Sequence, residues 1–515
     1  MSRKILSFIL IPVVMIGVWV YTAFQFQAVV MNKIIPKLNN SEFGITTNTD
    51  AIEINKFFFR VHLKDTVLFA GNDLIKTTIG NMHISYNPFH SEYALVLDKN
   101  ANIVMGTGKY AHNITAKRFV IISNKELVKG NPYSLQISLE VKDLKATSTL
   151  NGEQLLAKAD NVDIDLTTEE DDDDMLTVGL SITEGGVRVE SQMMEYMEDV
   201  VDHFMSQSSL LKKTDFEKKL VKLVHKYNAQ IMDVLGDINT NYEYNLALKK
   251  ETWQDVFLAA TKQKSFEEVF SKFDFIKDAY SLDATEETGN ELFSIKSTFN
   301  AVNDSGEVKV DGSIDSNSTL NNQQKEKLSL ATQDLFAGLF KQFEFLSVNA
   351  GSVSGEDFKA LSNRLVGVNN VVLGFSGSYK AENSQIKHNL NIKLGDFEFA
   401  ASGETADNKH SGKFAITTPE LFTSGLIELY GDLKPMLAKV DLDTQYVQGM
   451  ADNIKNNGKD FISVFNKNTN ANEKSETDLL IDLTTFDFKI NDHSISELLK
   501  DSRAEKFLNS IPVSN

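Results

Sequence analysis

Residues able to do chemistry are plentiful in this chain but poorly grouped. Glu169, Glu170, Asp171, Asp172, Asp173 and Asp174 form an unbroken acidic run, and hard cations such as calcium take several carboxylate oxygens. The run lacks the alternating ligands and central glycine of an EF-hand loop, so it reads as a solvated hairpin loop. Nine histidines are scattered along the chain, and His83 and His90, flanking Asn87-Pro88, are the closest pair. No H-E-x-x-H occurs and no two histidines sit at helical spacing, so zinc is not expected. Gly106-Thr107-Gly108-Lys109-Tyr110-Ala111 matches the dinucleotide pattern G-x-G-x-x-A. That pattern cradles a pyrophosphate only where a helix follows it. The following Lys117–Ser123 (KRFVIIS) reads as a strand, which makes the glycines a turn. Gly374-Phe375-Ser376-Gly377 lacks the second glycine of a nucleophile elbow. The absence of cysteine excludes disulfides, thiolate-ligated zinc and thiol nucleophiles. No catalytic, cofactor-binding or metal-ligating residue is therefore assigned, no cofactor is expected, and the chain reads as non-enzymatic.

The elements that would position such groups follow from composition and pattern. A net charge of -19 repels phosphate backbones and argues against nucleic-acid partners. It also argues against a polybasic patch for anionic lipids. The 42% hydrophobic and 24% charged fractions fit a folded protein, and 515 residues suggest roughly two to four domain-sized pieces. Asn39, Asn113, Asn303 and Asn317 stand in N-x-S/T sequons, which matter only in a eukaryotic secretory setting.

Ile5–Phe24 is an uncharged run behind a Ser2-Arg3-Lys4 flank. It is long enough to span a bilayer core of ~30 Å as a helix. Trp19 and Tyr21 stand where an aromatic belt would lie. No small-x-small cleavage site follows, since Tyr21-Thr22-Ala23 and Phe26-Gln27-Ala28 each begin with an aromatic. The run therefore reads as an uncleaved anchor with the N-terminus in the cytoplasm. Val29, Val30, Ile34 and Ile35 extend it as an amphipathic stalk.

Period-two alternation dominates the next stretch. It shows in Phe57, Phe59, Val61 and Leu63, in Leu135, Ile137, Leu139 and Val141, and in Val162, Ile164 and Leu166. Further strands are expected through Ile295–Ile314, Val371–Ile416 and Asp478–Ile490. Helical stripes interrupt them: Met193–Phe204, Phe216–Ile231, a capping box at Ser265–Glu268, Gln323–Phe345, and two helices in Leu421–Asn456. The expected fold is α+β. An N-terminal transmembrane helix leads into an elongated, mainly antiparallel β-sheet region with helices packed on it. In detail, residues 1–4 read as a cytoplasmic flank, 5–24 as the transmembrane anchor and 25–47 as a stalk helix. Residues 48–190 read as a β-rich region, 191–290 as a mixed region with amphipathic helices, and 291–515 as an α+β region ending in strand–turn–helix.

That order of elements resembles the YdgA-like family of bacterial envelope proteins. The resemblance rests on the junction Asn32–Asn39 (NKIIPKLN) and the tail Phe486–Leu499 (FDFKINDHSISELL). Family members often carry Asn-Gly at the tail turn, where this chain has Asn491-Asp492. More distantly it is similar to the AsmA-like group, whose long sheets form apolar grooves linked to envelope lipid handling. The resemblance implies a bacterial inner-membrane, single-pass protein with its bulk in the periplasm. The membrane through Ile5–Phe24, lipids and other envelope proteins are the expected partners. An assembly factor docking envelope proteins and an extracytoplasmic hydrolase are the alternatives.

Overall fold

The computed structural model describes residues 18–34, 45–48, 51–70, 75–97, 102–105, 112–148, 154–170, 174–190, 215–260, 274, 276, 278–304, 306–342, 352–439, 444–468, 473–485 and 487–512. The chain divides into two compact units. One comprises Met1–Gln207 and Ile238–Asp274, the other Ser208–Asp237 and Phe275–Asn515.

The first unit opens with a helix over 18–34 (α1), whose last turn, Val30–Ile34, is a π-turn. Two short strands, β1 (Ile45–Asn48) and β2 (Ala51–Asn55), pair with successive halves of β3 (Arg60–Ala70). β4 (Ile75–Asn87) pairs with β3, then with β5 (Glu92–Leu97) and β6 (Asn102–Met105). β7 (His112–Thr115) and β8 (Arg118–Asn124) continue these two halves onto β9 (Gln136–Ser148). A short helix, α2 (Lys125–Lys129), separates β8 from β9. The long hairpin β10 (Gln154–Glu170) and β11 (Met175–Val189) follows. The chain leaves for α3 (Asp215–Leu235), which belongs to the second unit, and returns as β12 (Ile238–Lys249), paired with β11, and α4 (Lys250–Ala260). In α4, Trp253 Nε1 donates to the Pro132 carbonyl at 2.8 Å, fixing the helix over the β8–β9 connection.

The second unit is a meander in which chain neighbours are sheet neighbours. β13 (Tyr280–Gly289), β14 (Phe293–Asp304) and β15 (Glu307–Ser318) lead to α5 (Asn322–Gln342) and α6 (Lys359–Gly367). β16 (Asn370–Lys380) then pairs back onto β15. β17 (Gln385–Leu394), β18 (Phe397–Ala406) and β19 (Lys409–Ile416) continue it. Helices α7 (Pro419–Leu437) and α8 (Thr444–Val464) intervene before β20 (Ser475–Asp482) joins β19. β21 (Asp487–Ile490), β22 (His493–Ser494), α9 (Ile495–Leu498) and α10 (Ser502–Asn509) end it. Every pairing described among the residues of the two units is antiparallel, the arrangement in which one face commonly packs and the other meets water.

The expected α+β class with a mainly antiparallel sheet is the observed one. The helix expectations at Phe216–Ile231, Gln323–Phe345 and Leu421–Asn456 correspond to α3, α5, and α7 with α8. Those at Met193–Phe204 and Ser265–Glu268 lie outside the described residues. In the tail, Phe486 lies outside the described residues and Asp487–Ile490 is a strand. Asn491 and Asp492 have φ of 49° and 67°, the two positive values a type I′ hairpin needs. Ser494 and Glu497 then build a capping box at the start of α9.

The strand reading at Phe57 needs correction. Lys56–Phe58 is a 3-10 turn, with Asn55 Oδ1 accepting from the Phe58 amide at 3.4 Å. Phe59 lies in the left-handed region at φ 50°, and the strand begins only at Arg60. The alternation failed there because a local side-chain bond to the backbone outcompeted the sheet ladder.

Two kinds of core result. In the first unit, Ala23, Phe26 and Val30 of α1 pack on Phe59, Val61, Leu63, Met82, Ile84 and Leu97. In the second, the helices pack chiefly on each other: Ala337, Phe358 and Met436 form one cluster, and Val464, Leu498 and Ala504 another, which Ile490 of β21 joins.

Candidate functional site

Residues directly opposite in an antiparallel pair share a sheet face, and successive residues alternate faces. Applied to the second unit, the register assigns whole rows. Ala284, Phe299, Gly312, Phe375, Leu390, Ala401 and Phe414 form one row across β13–β19. The next row on that face reads Ser297, Ile314, Leu373, Ile392, Phe399 and Ile416. A third reads Ile295, Ser316, Val371, Leu394 and Phe397. The reverse face carries Asp283, Asn300, Asp311, Ser376, Asn389, Ser402, Lys413 and Asp478 in one row.

The apolar face is only partly buried. Ile295, Phe299, Ile314, Ile386 and Leu394 keep 37–45% of their surface exposed. Strands about 4.8 Å apart make nine of them, β13 to β21, roughly 38 Å wide. Gly312 lets the face stay smooth: a Cβ there would meet the Phe375 ring at 2.5 Å and the Thr298 carbonyl at 2.8 Å.

The first unit shows the same design. Ile54, Val61, Ile84, Leu95, Ile121, Leu139, Ile164, Ile182 and Tyr242 form one unbroken apolar row. The reverse face reads Glu53, His62, His83, Val96, Val120, Glu140, Asp163, Thr183 and Asn241. Here α1 lies over the β3–β5 end, with Phe26 against Phe59 and Tyr86 at ring centroids of 5.9 and 6.2 Å. Tyr93, its ring tilted against Tyr86 with centroids 4.7 Å apart, has its phenol pushed up to about 12 by burial and by the neighbouring Tyr86.

One polar notch interrupts the second unit's apolar face. His388 and His410 stack with ring centroids 5.4 Å apart and planes within 6°. Gly403 lies between them, where a Cβ would meet both rings at 2.7 and 2.8 Å. Thr405 Oγ1 and His410 Nδ1 are 2.9 Å apart, which fixes that ring. Two imidazoles make half a zinc ligand set, and among the described residues no group of three or more His, Asp or Glu could hold a metal. His62 and His83 form a second pair at 5.6 Å on the first unit's polar face. Both pairs escape a linear reading, because one bridges strands and the other crosses a third strand made permissive by glycine. His83 and His90, neighbours in sequence, are not brought together in this way.

On the second unit's polar face a depression of about 540 Å³ is lined by Lys387, Ser402, Glu404, Ser411, Lys413 and Asp478. Lys387 faces Glu404 at 3.9 Å, and Asp478 is paired with Lys467. Ser402 and Ser411 stand on the opposite face from His388 and His410, so no serine–imidazole pair forms there. Ser376 sits within β16, not on a strand-to-helix turn. Of the acidic run, Glu169 and Glu170 end β10 and Asp174 precedes β11, while Asp171–Asp173 and Gly106–Ala111 lie outside the described residues.

Of the expected anchor Ile5–Phe24, residues 5–17 lie outside the described residues, while 18–24 are helical and seat Ala23 on the sheet. Among the described residues no helix is long and apolar enough to cross a membrane. The chain matches no protein-family model, no curated protein and no solved structure.

Proposed function

We propose that this protein is a membrane-anchored bacterial envelope protein, non-enzymatic, whose apolar sheet faces bind lipid acyl chains. The observation that carries the reading is the apolar face of the second unit's sheet, where five large side chains on β14, β15 and β17 remain exposed. Exposed contiguous apolar patches beyond a few hundred Å² mark binding surfaces or membrane contacts. The face exceeds the ~15 Å of one bilayer leaflet, half of a ~30 Å core, so an acyl chain can lie along it. Covering ~300 Å² of apolar surface contributes about 7 kcal/mol before ordering costs. The anchor Ile5–Phe24 places the faces beside their ligand source, with the bulk in the periplasm of a bacterial inner-membrane protein, as the YdgA-like layout suggests. Native mass spectrometry of the detergent-extracted full chain, with lipid identification on the same sample, tests this. Stoichiometric phospholipid or lipopolysaccharide is expected. A lipid-free protein contradicts the reading and turns attention to docked envelope proteins.

A further inference from the structure

The turns at one edge of the first unit hold phenylalanines that the fold does not use. Phe89, in the β4–β5 turn, is 82% exposed, and Phe58, in the β2–β3 turn, is 72% exposed. Both turns are built rather than slack. Asn87 Oδ1 accepts from the Phe89 amide at 3.1 Å, and Asn55 Oδ1 accepts from the Phe58 amide. β3 starts and β4 ends at this edge, since Arg60 pairs with Ser85, so the two turns are neighbours. Phe57 is exposed beside them, and Lys56 Nζ stands 4.2 Å from the Phe24 ring and 5.5 Å from the Phe57 ring. Trp19 reaches the same corner, its ring 4.7 Å from Phe59.

We infer that Trp19, Phe24, Lys56, Phe57, Phe58 and Phe89 form a rim that inserts into the interfacial layer of a lipid bilayer. Three observations select a bilayer over a protein partner. The composition is that of an interfacial belt, aromatic rings beside a snorkelling lysine. Trp19 and Phe24 of the rim belong to the expected anchor Ile5–Phe24, so the rim continues the anchor onto the sheet edge. Glu169 and Glu170 of the acidic run belong to the same edge but about four strand spacings away, ~19 Å. They would be repelled by anionic headgroups, which leaves the aromatic corner as the docking point. The inference rests on the membrane reading above and adds a second contact to it, one that sets which edge of the first unit faces the lipid.

The chain has no cysteine, so single-cysteine variants report one site each. Phe58→Cys, Phe89→Cys and the control Lys145→Cys, toward the other end of β9, are labelled with an environment-sensitive fluorophore. The full chain is reconstituted in phosphatidylcholine–phosphatidylglycerol vesicles, with and without brominated acyl chains. The labels at 58 and 89 are expected to shift to the blue and be quenched by the brominated lipid, and the label at 145 to do neither. If the protein floats with the vesicles but the labels at 58 and 89 behave like that at 145, the rim is overturned and the anchor stands. If the protein does not float with vesicles, both readings fall. A blue shift that rises with protein concentration and ignores the brominated lipid assigns the rim to a second copy, and equally overturns the proposal.

Discussion

The two units share one construction and differ in what covers it. In the first unit, α1 lies on the apolar face at β3–β5, and Ala23 and Val30 are wholly buried against it. In the second, helices α5 to α8 bury their apolar residues largely among themselves, and the apolar sheet face keeps large side chains of β14, β15 and β17 in contact with solvent. A sheet face that is apolar on every strand yet uncovered costs solubility and gains nothing for the fold alone. The contrast locates stability in the first face and sets the second as the place of the proposed binding.

Breaking the covered face should have the largest effect. Phe26→Ala leaves a cavity beneath α1, and large-to-small changes at a site this buried cost ~3–5 kcal/mol. Thermal or urea unfolding followed by a probe in the first unit should show this loss, and a change under about 1 kcal/mol would mean α1 is not held there. Gly312→Ala comes next. Its Cβ meets the Phe375 ring and the Thr298 carbonyl, and overpacking of this kind costs ~1–3 kcal/mol. The backbone oxygen cannot yield as the ring can, so the midpoint of the second unit should fall while that of the first stays put.

Alkaline titration separates the two units again. The folded phenol of Tyr93 titrates near 12, against an unfolded value of about 10. Its neutral form is therefore favoured by folding. The stability this lends is complete below about pH 10 and disappears as pH rises toward 12. Tyr93→Phe should flatten that alkaline loss in the first unit, and an unchanged profile would place the phenol in water. The smallest expected effect is on stability at the bare face. Ile314→Ser removes a side chain already 41% exposed, so stability should change by under ~0.5 kcal/mol. Lipid retained through purification should fall, and a stability loss of several kcal/mol would show that the face is core.

Much of the fold was legible because a sheet with one dry face writes itself as period two. Leu390, Ile392 and Leu394 alternate with Asn391 and Lys393, and β17 is where that alternation says. The Asn491-Asp492 turn was legible because few residues tolerate φ above zero twice in succession. Phe57 and Phe59 misled because their alternation with Val61 and Leu63 starts in a 3-10 turn and its cap, and the strand begins only at Arg60. The continuity of the apolar face was not legible. It depends on register between strands, as in Phe299 opposite Gly312 opposite Phe375, and register is a property of pairs. The stacked His388 and His410 were hidden for the same reason, with Gly403 of the intervening strand as the only local trace.

The most direct test of acyl-chain binding uses a photoactivatable fatty-acyl phospholipid crosslinked to the full chain and mapped by mass spectrometry. Adducts at Phe299, Ile314, Ile386 and Leu394, with none at Lys309, Asp311 or Asn389 on the reverse face, are the predicted result. Adducts spread equally over both faces, or confined to other parts of the chain, would contradict it.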